Sequence, residues 1–139
     1  MSIRENIIEA LVTAATPVVT GGVYRSREAA IARSEGPALV IRPQDEKVET
    51  RGQRVALRDL VVQFEVIVRG QIPDQDADPI VEALHAAITA DPTLGGIIAW
   101  IFEEETKWDF EIADMNAVSV TILYRCRYLT AANSLSSQP

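Results

Sequence analysis

Apolar residues recur along this chain in two periods, and the switches between them mark out its elements. Ser2 and Glu5 form a capping box, the hydroxyl capping an amide three residues on and the carboxylate reaching back. Ile3, Ile7 and Leu11, with Ile8, Val12 and Ala15 one step round, mark one face of a helix that Pro17 stops. Gly21 and Gly22 then turn the chain into a short strand around Val23-Tyr-Arg25, and Ser26 opens a two-turn helix that runs to Ser34. Ala38 to Arg42, between Pro37 and Pro43, reads as a short buried strand. Gln44 to Arg54 is almost wholly polar, and fits either an exposed hairpin or an arm ordered by a partner.

Strict alternation begins at Leu57 and lasts to Gly70. Val62, Phe64, Val66 and Val68 take one face, Gln63, Glu65 and Arg69 the other, and Ile67 breaks the pattern. Asp74, Asp76 and Asp78 precede Pro79, which predicts a helix starting at that proline with acids at its positive end. Ile80, Leu84, Ala87 and Ile88 form its apolar face, and Asp91-Pro92 and Gly95-Gly96 punctuate its exit. An apolar run from Ile97 to Phe102 is interrupted by Glu103, Glu104 and Glu105, which read best as a solvated turn between strands. Trp108 to Ile112 alternates, and Ala117 to Leu129 is the clearest strand. There Val118, Val120, Ile122, Tyr124, Cys126 and Tyr128 oppose Ser119, Thr121, Arg125 and Arg127. Residues 131–139 are small and polar and are expected to fray.

The order predicts an α+β domain over residues 1–130: a mostly antiparallel sheet with two or three helices on one side. With 139 residues, 47% hydrophobic and 24% charged, the chain has enough for one core and too little for a large two-domain enzyme. No run approaches the ~18 apolar residues of a membrane span. The opening residues, acidic and periodic, do not read as a secretory signal.

Charge narrows the partners. A net −7 repels a phosphate backbone as a whole and argues against sequence-directed nucleic-acid binding. Eleven of the thirteen basic residues are Arg, the side chain favoured in forked ion pairs and at interfaces. One cysteine, Cys126, excludes an internal disulfide and a cysteine-based zinc cluster, and suits a reducing compartment. One histidine, His85, excludes a histidine-pair metal site within one chain.

Candidate chemistry is sparse. Asp74-x-Asp76-x-Asp78 resembles the opening of a calcium loop but lacks the central glycine and the closing glutamate, so no metal is expected. His85 sits in mid-helix and Cys126 on the apolar side of a strand, where cysteine behaves as a small hydrophobe. The paired glycines have no phosphate-loop or dinucleotide spacing. Trp100 and Trp108 fit core or sheet-face packing; exposed, they would be interface anchors. Nothing organises a reaction, and the reading is of a protein that is not an enzyme and needs no cofactor.

A series of local phrases carries a resemblance. They are the opening amphipathic helix; Val23-Tyr-Arg-Ser-Arg27 before an alanine-rich helix; Gly36-Pro-Ala-Leu-Val-Ile-Arg42; the long strand ending Val-Ile-Val-Arg69; the helix Ala77–Ala90 followed by Thr93-Leu-Gly-Gly96; and Tyr124-Arg-Cys-Arg-Tyr-Leu-Thr130. In this order and at this length the chain resembles the tail terminator (tail completion, minor tail protein U-like) proteins of long-tailed bacteriophages and prophages. None of the phrases is a catalytic motif; neighbouring head-to-tail joining proteins share the size and class.

The resemblance implies a virion structural protein, assembled in the bacterial host cytoplasm. It would form a ring, typically sixfold, that caps the last tail-tube ring, halts polymerisation and presents a surface to the head. Its partners would be other copies of itself, the tail-tube protein and the head–tail connector, with DNA only as cargo passing through the lumen and no membrane. Heterologous contacts close such a ring. Arg42, Arg51, Arg54 and Arg58, around the polar arm, are the residues expected at or near the association surfaces. Two competing classes are a neck protein of the same assembly and a small ligand-binding module, the latter requiring a concave apolar pocket with converging polar groups.

Overall fold

Ser2 sets the first helix. Its Oγ accepts from the Glu5 amide at 3.1 Å, and α1 runs Ile3–Ala15 in the computed structural model, which describes residues 1–26, 36–110 and 116–139. Only half of the predicted capping box forms. The Glu5 carboxylate turns to Arg25, 2.6 Å away, because a guanidinium is a stronger partner than the amide it was expected to cap. Ile3, Ile7, Ile8, Leu11 and Ala15 are buried as the spacing required, and a 3₁₀ turn over Thr16–Val18, containing Pro17, ends the element.

The other elements are β1 (Val23–Arg25), β2 (Ala38–Arg51), β3 (Val55–Arg69), α2 (Pro73–Thr89), β4 (Trp100–Asp109) and β5 (Ala117–Ala131). The helix expected over Ser26–Ser34 lies outside the described residues but for Ser26. The five strands make one sheet in the order β1-β2-β3-β5-β4, with β1 parallel to β2 and every other neighbour antiparallel. The fold is α+β, a mostly antiparallel sheet in one domain. Leu39 and Ile41 of β2, Leu60 to Val68 of β3 at alternate positions, and Val118 to Tyr128 of β5 likewise join the buried faces of both helices in one core. The helices therefore cover one face of the sheet; on the other, more open face, Ala38 and Val40 are buried beside Tyr24 and Ile67. Phe64 and Tyr124 meet edge to face at its centre, ring centroids 5.4 Å apart.

Three expectations need correction. The strand at Ala38 does not stop at Pro43 but continues through the polar arm to Arg51, so that β2 and β3 form one long hairpin. Pro43 is accommodated because the register shifts between Pro43 and Asp45, a bulge where a missing amide costs no ladder bond. Helix α2 starts at Pro73, not Pro79: the first proline takes the N1 position, Asp74 and Asp76 fill the first turn, and Pro79 is carried inside. Glu103–Glu105 form no turn. They lie mid-strand in β4, with a register shift between Glu103 and Glu105, because an edge strand with solvent on both sides does not need alternation to stay a strand.

The molecule exposes 7760 Å², above the roughly 7,000 Å² expected of a sphere-like chain of this mass. The arm, exposed along most of residues 43–54, is the visible source of the excess. Residues 132–139 are largely exposed but are tied to the body by four backbone hydrogen bonds: the Ile3 amide donates to the Leu135 carbonyl at 2.9 Å, the Ala131 amide to the Ser137 carbonyl at 2.8 Å, the Ala132 amide to the Arg54 carbonyl at 2.8 Å and the Ser134 amide to the Ala131 carbonyl at 3.2 Å. No helix among the described residues is long and apolar enough to cross a membrane.

Candidate functional site

The arm is held at its base by a carboxylate. After the bulge Glu46 stands opposite Leu60, on the helix side of the sheet, with its side chain only 11% exposed. Arg4 of α1 donates to it at 2.5 Å, Arg58 of β3 lies 3.4 Å away, and the Tyr128 hydroxyl of β5 donates to its second oxygen. Arg58 also donates to Thr130 Oγ1 at 3.0 Å, inside the fold. Burial pushes the Tyr128 hydroxyl above its ordinary value, and Glu46 pushes it the same way. Glu46 is thus a hub joining four elements. It escaped the sequence reading, although one signal was present: Arg58 occupies the same face of β3 as Leu60 and Val62, where a cation must find a buried partner.

The four arginines singled out from the sequence separate into two kinds. Arg58 is buried within the cluster just described, and Arg42 is drawn back toward Glu65, 3.8 Å away. Arg51 and Arg54 flank the hairpin turn, exposed, where Gly52 supplies the positive φ of +68°. They make no ion pair among the described residues.

Away from Ala38 and Val40 the open face mixes charge with apolar side chains such as Val61, Leu123 and Leu129. Asp59 of β3 accepts from Arg127 Nε at 2.9 Å and Nη2 at 3.2 Å, and Arg125 lies 3.6 Å from it. Arg125 Nε stands 2.7 Å from Glu104, off the line of a hydrogen bond, and its guanidinium covers the Phe102 ring at 4.5 Å. Arg127, above all, holds the Asp59 carboxyl below the usual carboxylate range. Such a group stabilises the fold above its unfolded value near ~3.9 and loses that contribution as pH falls through the lower folded value. The Asp59→Asn variant should therefore be less stable than the parent by about 1 kcal/mol at pH 7, after solvent screening. Denaturant titration should show that gap close between roughly pH 5 and pH 2; a gap independent of pH would mean that the carboxylate is not the source.

Shallow hollows interrupt this face. One, about 280 Å³, is walled by Asp45, Lys47, Asp59, Val61, Glu104 and Arg125. A larger one, about 540 Å³, lies where Val55 and Ala131 meet the tail residues Gln138 and Pro139. The first lacks the apolar walls a ligand-binding module would need; the second is walled by the polar Gln53, Arg54, Asn133 and Gln138 beside Val55, Ala131 and Pro139. No cluster of three or more metal-ligating side chains occurs among the described residues. Cys126 is fully buried, and burial pushes its thiol up to about 12, so at neutral pH it is no nucleophile. His85 Nδ1 instead lies 2.7 Å from the Tyr124 hydroxyl and 3.1 Å from Glu103, tying α2 to β4 and β5.

The edge strand β4 is the strongest feature of the surface. Among the described residues no strand pairs with its outer side. Trp100 and Trp108, expected to pack inward, are 49% and 57% exposed, and Phe110 just beyond is 54% exposed. By register they take opposite faces, Trp100 the open one opposite Arg127 and Trp108 the helix side opposite Val120. At the opposite side of the sheet, β1 pairs with Leu39 to Ile41, and among the described residues no strand pairs with the outer edge of β2 from Pro43 to Arg51. Among the described residues the sheet thus has two unpaired strand edges, on opposite sides.

Comparison with known protein families finds no match, and comparison with curated proteins finds none. Among solved structures, a chain described as "Virion of native gene transfer agent (GTA) particle" is similar at 14% identity, covering 91% of this chain and 90% of that one, with a TM-score of 0.38. A likeness of that grade says nothing about what the present chain does.

Proposed function

We propose that this chain is a virion structural protein of a long-tailed phage or prophage. It assembles as a ring on the end of the tail tube, stops its growth and offers the head its joining surface. The observation that carries the reading is the pair of strand edges, unpaired among the described residues, on opposite sides of one sheet, one of them carrying half-exposed tryptophans. A closed ring needs two different patches on each subunit, so that each copy can meet the next, and this sheet supplies them. A long exposed edge is otherwise a liability that soluble monomers cover or shorten. The order of local phrases along the chain, which resembles tail terminators, supports the same assignment. Its partners in this reading are other copies, the tail-tube protein and the head–tail connector. The excess of carboxylates suits a lumen through which DNA passes without adhering.

Electron microscopy of particles made with and without the gene tests the proposal. Overlong, headless tubes in the deletion are the expected result. Tails of normal length that fail to join heads would reassign the chain to the neck, and normal infectious particles would overturn a structural role altogether.

A further inference from the structure

Both free edges are guarded, and the guards differ in sign. On β4 the three glutamates occupy the middle of the strand: Glu103 on the helix side opposite Tyr124, Glu105 on the open side opposite Leu123, and Glu104 between them at the register shift. If two copies of β4 paired antiparallel about their centres, Glu104 of each would face Glu105 of the other. Like charges directly opposed across strands are destabilising, so this edge is closed to copies of itself. The tip of the β2 arm offers the opposite sign. Lys47 and Arg51 stand on the open side of the sheet by register, opposite Asp59 and Val55, and Arg54 follows in the turn. None of the three is engaged in an ion pair among the described residues; Glu49 stands between Lys47 and Arg51 on the same side, so the unopposed positive charge is at the tip, in Arg51 and Arg54.

We infer that the outer edge of β4 accepts the β2 edge of the next copy of this chain, with Arg51 beside Glu105, so that the sheets of successive subunits run on as one. The contact is head to tail, each copy giving an arm and receiving one. It deepens the ring reading, on which it rests for the closure of the series, by naming the two surfaces that meet. Main-chain bonds along the strands supply affinity, the Arg–Glu pairs fix partner and register, and Trp100 and Trp108 flank the acidic segment as apolar anchors.

Disulfide trapping of the purified chain, and of tails carrying it, tests the contact directly. Arg51→Cys and Glu105→Cys placed together in one chain should give, on mild oxidation, a ladder of covalent dimers, trimers and larger species. Either substitution alone should stop at dimers. The buried Cys126 thiol does not compete. In sedimentation over rising concentration, Arg51→Glu or Glu105→Lys should weaken self-association roughly tenfold or more, and the two combined should restore it. Unfolding curves like the parent's show that these exposed changes leave the subunit intact. A double-cysteine chain that gives nothing above dimer, in solution and in tails alike, overturns the contact, and so does a charge swap that restores nothing. The tail-length comparison is read separately. A ladder accompanied by normal tails would keep the contact and sink the terminator reading, whereas overlong tails without a ladder would do the reverse.

Discussion

Replacing Glu46 with alanine should remove roughly 3–5 kcal/mol of folding stability, the range expected when one member of a buried ion pair is deleted. Glu46 and Arg58 are each only 11% exposed at the side chain, so neither charge is relieved by water when the other is gone. The Tyr128 hydroxyl would lose its acceptor, and Arg4 its anchor on the arm. Against the ~5–15 kcal/mol that holds a domain of this size, that loss is large. It corresponds to a fall in melting temperature of about 10–15 °C. Glu46→Gln keeps an oxygen for Tyr128 and gives up only the charge, so it should fall between the parent and alanine. Glu46→Leu combined with Arg58→Met leaves no uncompensated charge and should recover most of the loss. Thermal and denaturant unfolding of the four proteins decides the matter. A cost below about 1 kcal/mol for alanine would mean that the cluster is solvated and the arm unanchored.

The anchoring matters because it gives the arm a fixed direction. Without the Glu46 cluster, a hairpin exposed along most of its length would hold Arg51 and Arg54 only through its own ladder, and isolated two-stranded ribbons are marginal in water. With it, the cations at the tip are presented from a rigid base, and less conformational freedom is lost when they meet a partner.

Where a segment is covered on one side only, its pattern was readable. Most of the α1 stripe and of the alternation in β3 and β5 corresponds to what is buried, because those elements face the core on one side; the departures are Val12, only half-buried, and Leu57 and Ser119, buried on the other face. Local rules failed where burial is absent or where the partner is remote in sequence. Edge strand β4 is exposed along most of its length, so Glu103–Glu105 read as a turn and the tryptophans as core. The arm read as a loose polar stretch because the contacts that order Glu46 come from Arg4, Arg58 and Tyr128, which lie 42, 12 and 82 residues away. Pro79 looked like the start of a helix because the earlier signal, Pro73, follows an Ile72 with no capping side chain. Of the four arginines singled out, Arg51 and Arg54 are exposed at the tip of the arm, whereas the place of Arg58 on its strand turns it inward against Glu46 and Thr130.

Removing both exposed indoles should separate folding from assembly. Trp100 and Trp108 are about half exposed and belong to no buried cluster, so Trp100→Ser with Trp108→Ser should change the stability of the free subunit by less than about 1 kcal/mol. In an assembled ring the same side chains would be enclosed, and tryptophans at the centre of an interface carry about 2–4 kcal/mol each on truncation. Two of them, even with imperfect additivity, should weaken self-association by roughly a thousandfold or more. Particles carrying the variant should then resemble the deletion, with overlong tails, although the protein accumulates and melts like the parent. The comparison has a built-in control in Phe102, which the Arg125 guanidinium covers on the open face. Phe102→Ala should lower subunit stability by loosening that lattice, with a smaller effect on assembly than the tryptophan pair. If the tryptophan variant instead assembled and capped tails normally, the exposed rings would be bystanders. The charged positions of the two edges would then have to hold the ring alone, in which case raising the salt concentration should dissociate it, since exposed ion pairs are screened within about 8–10 Å at ordinary ionic strength.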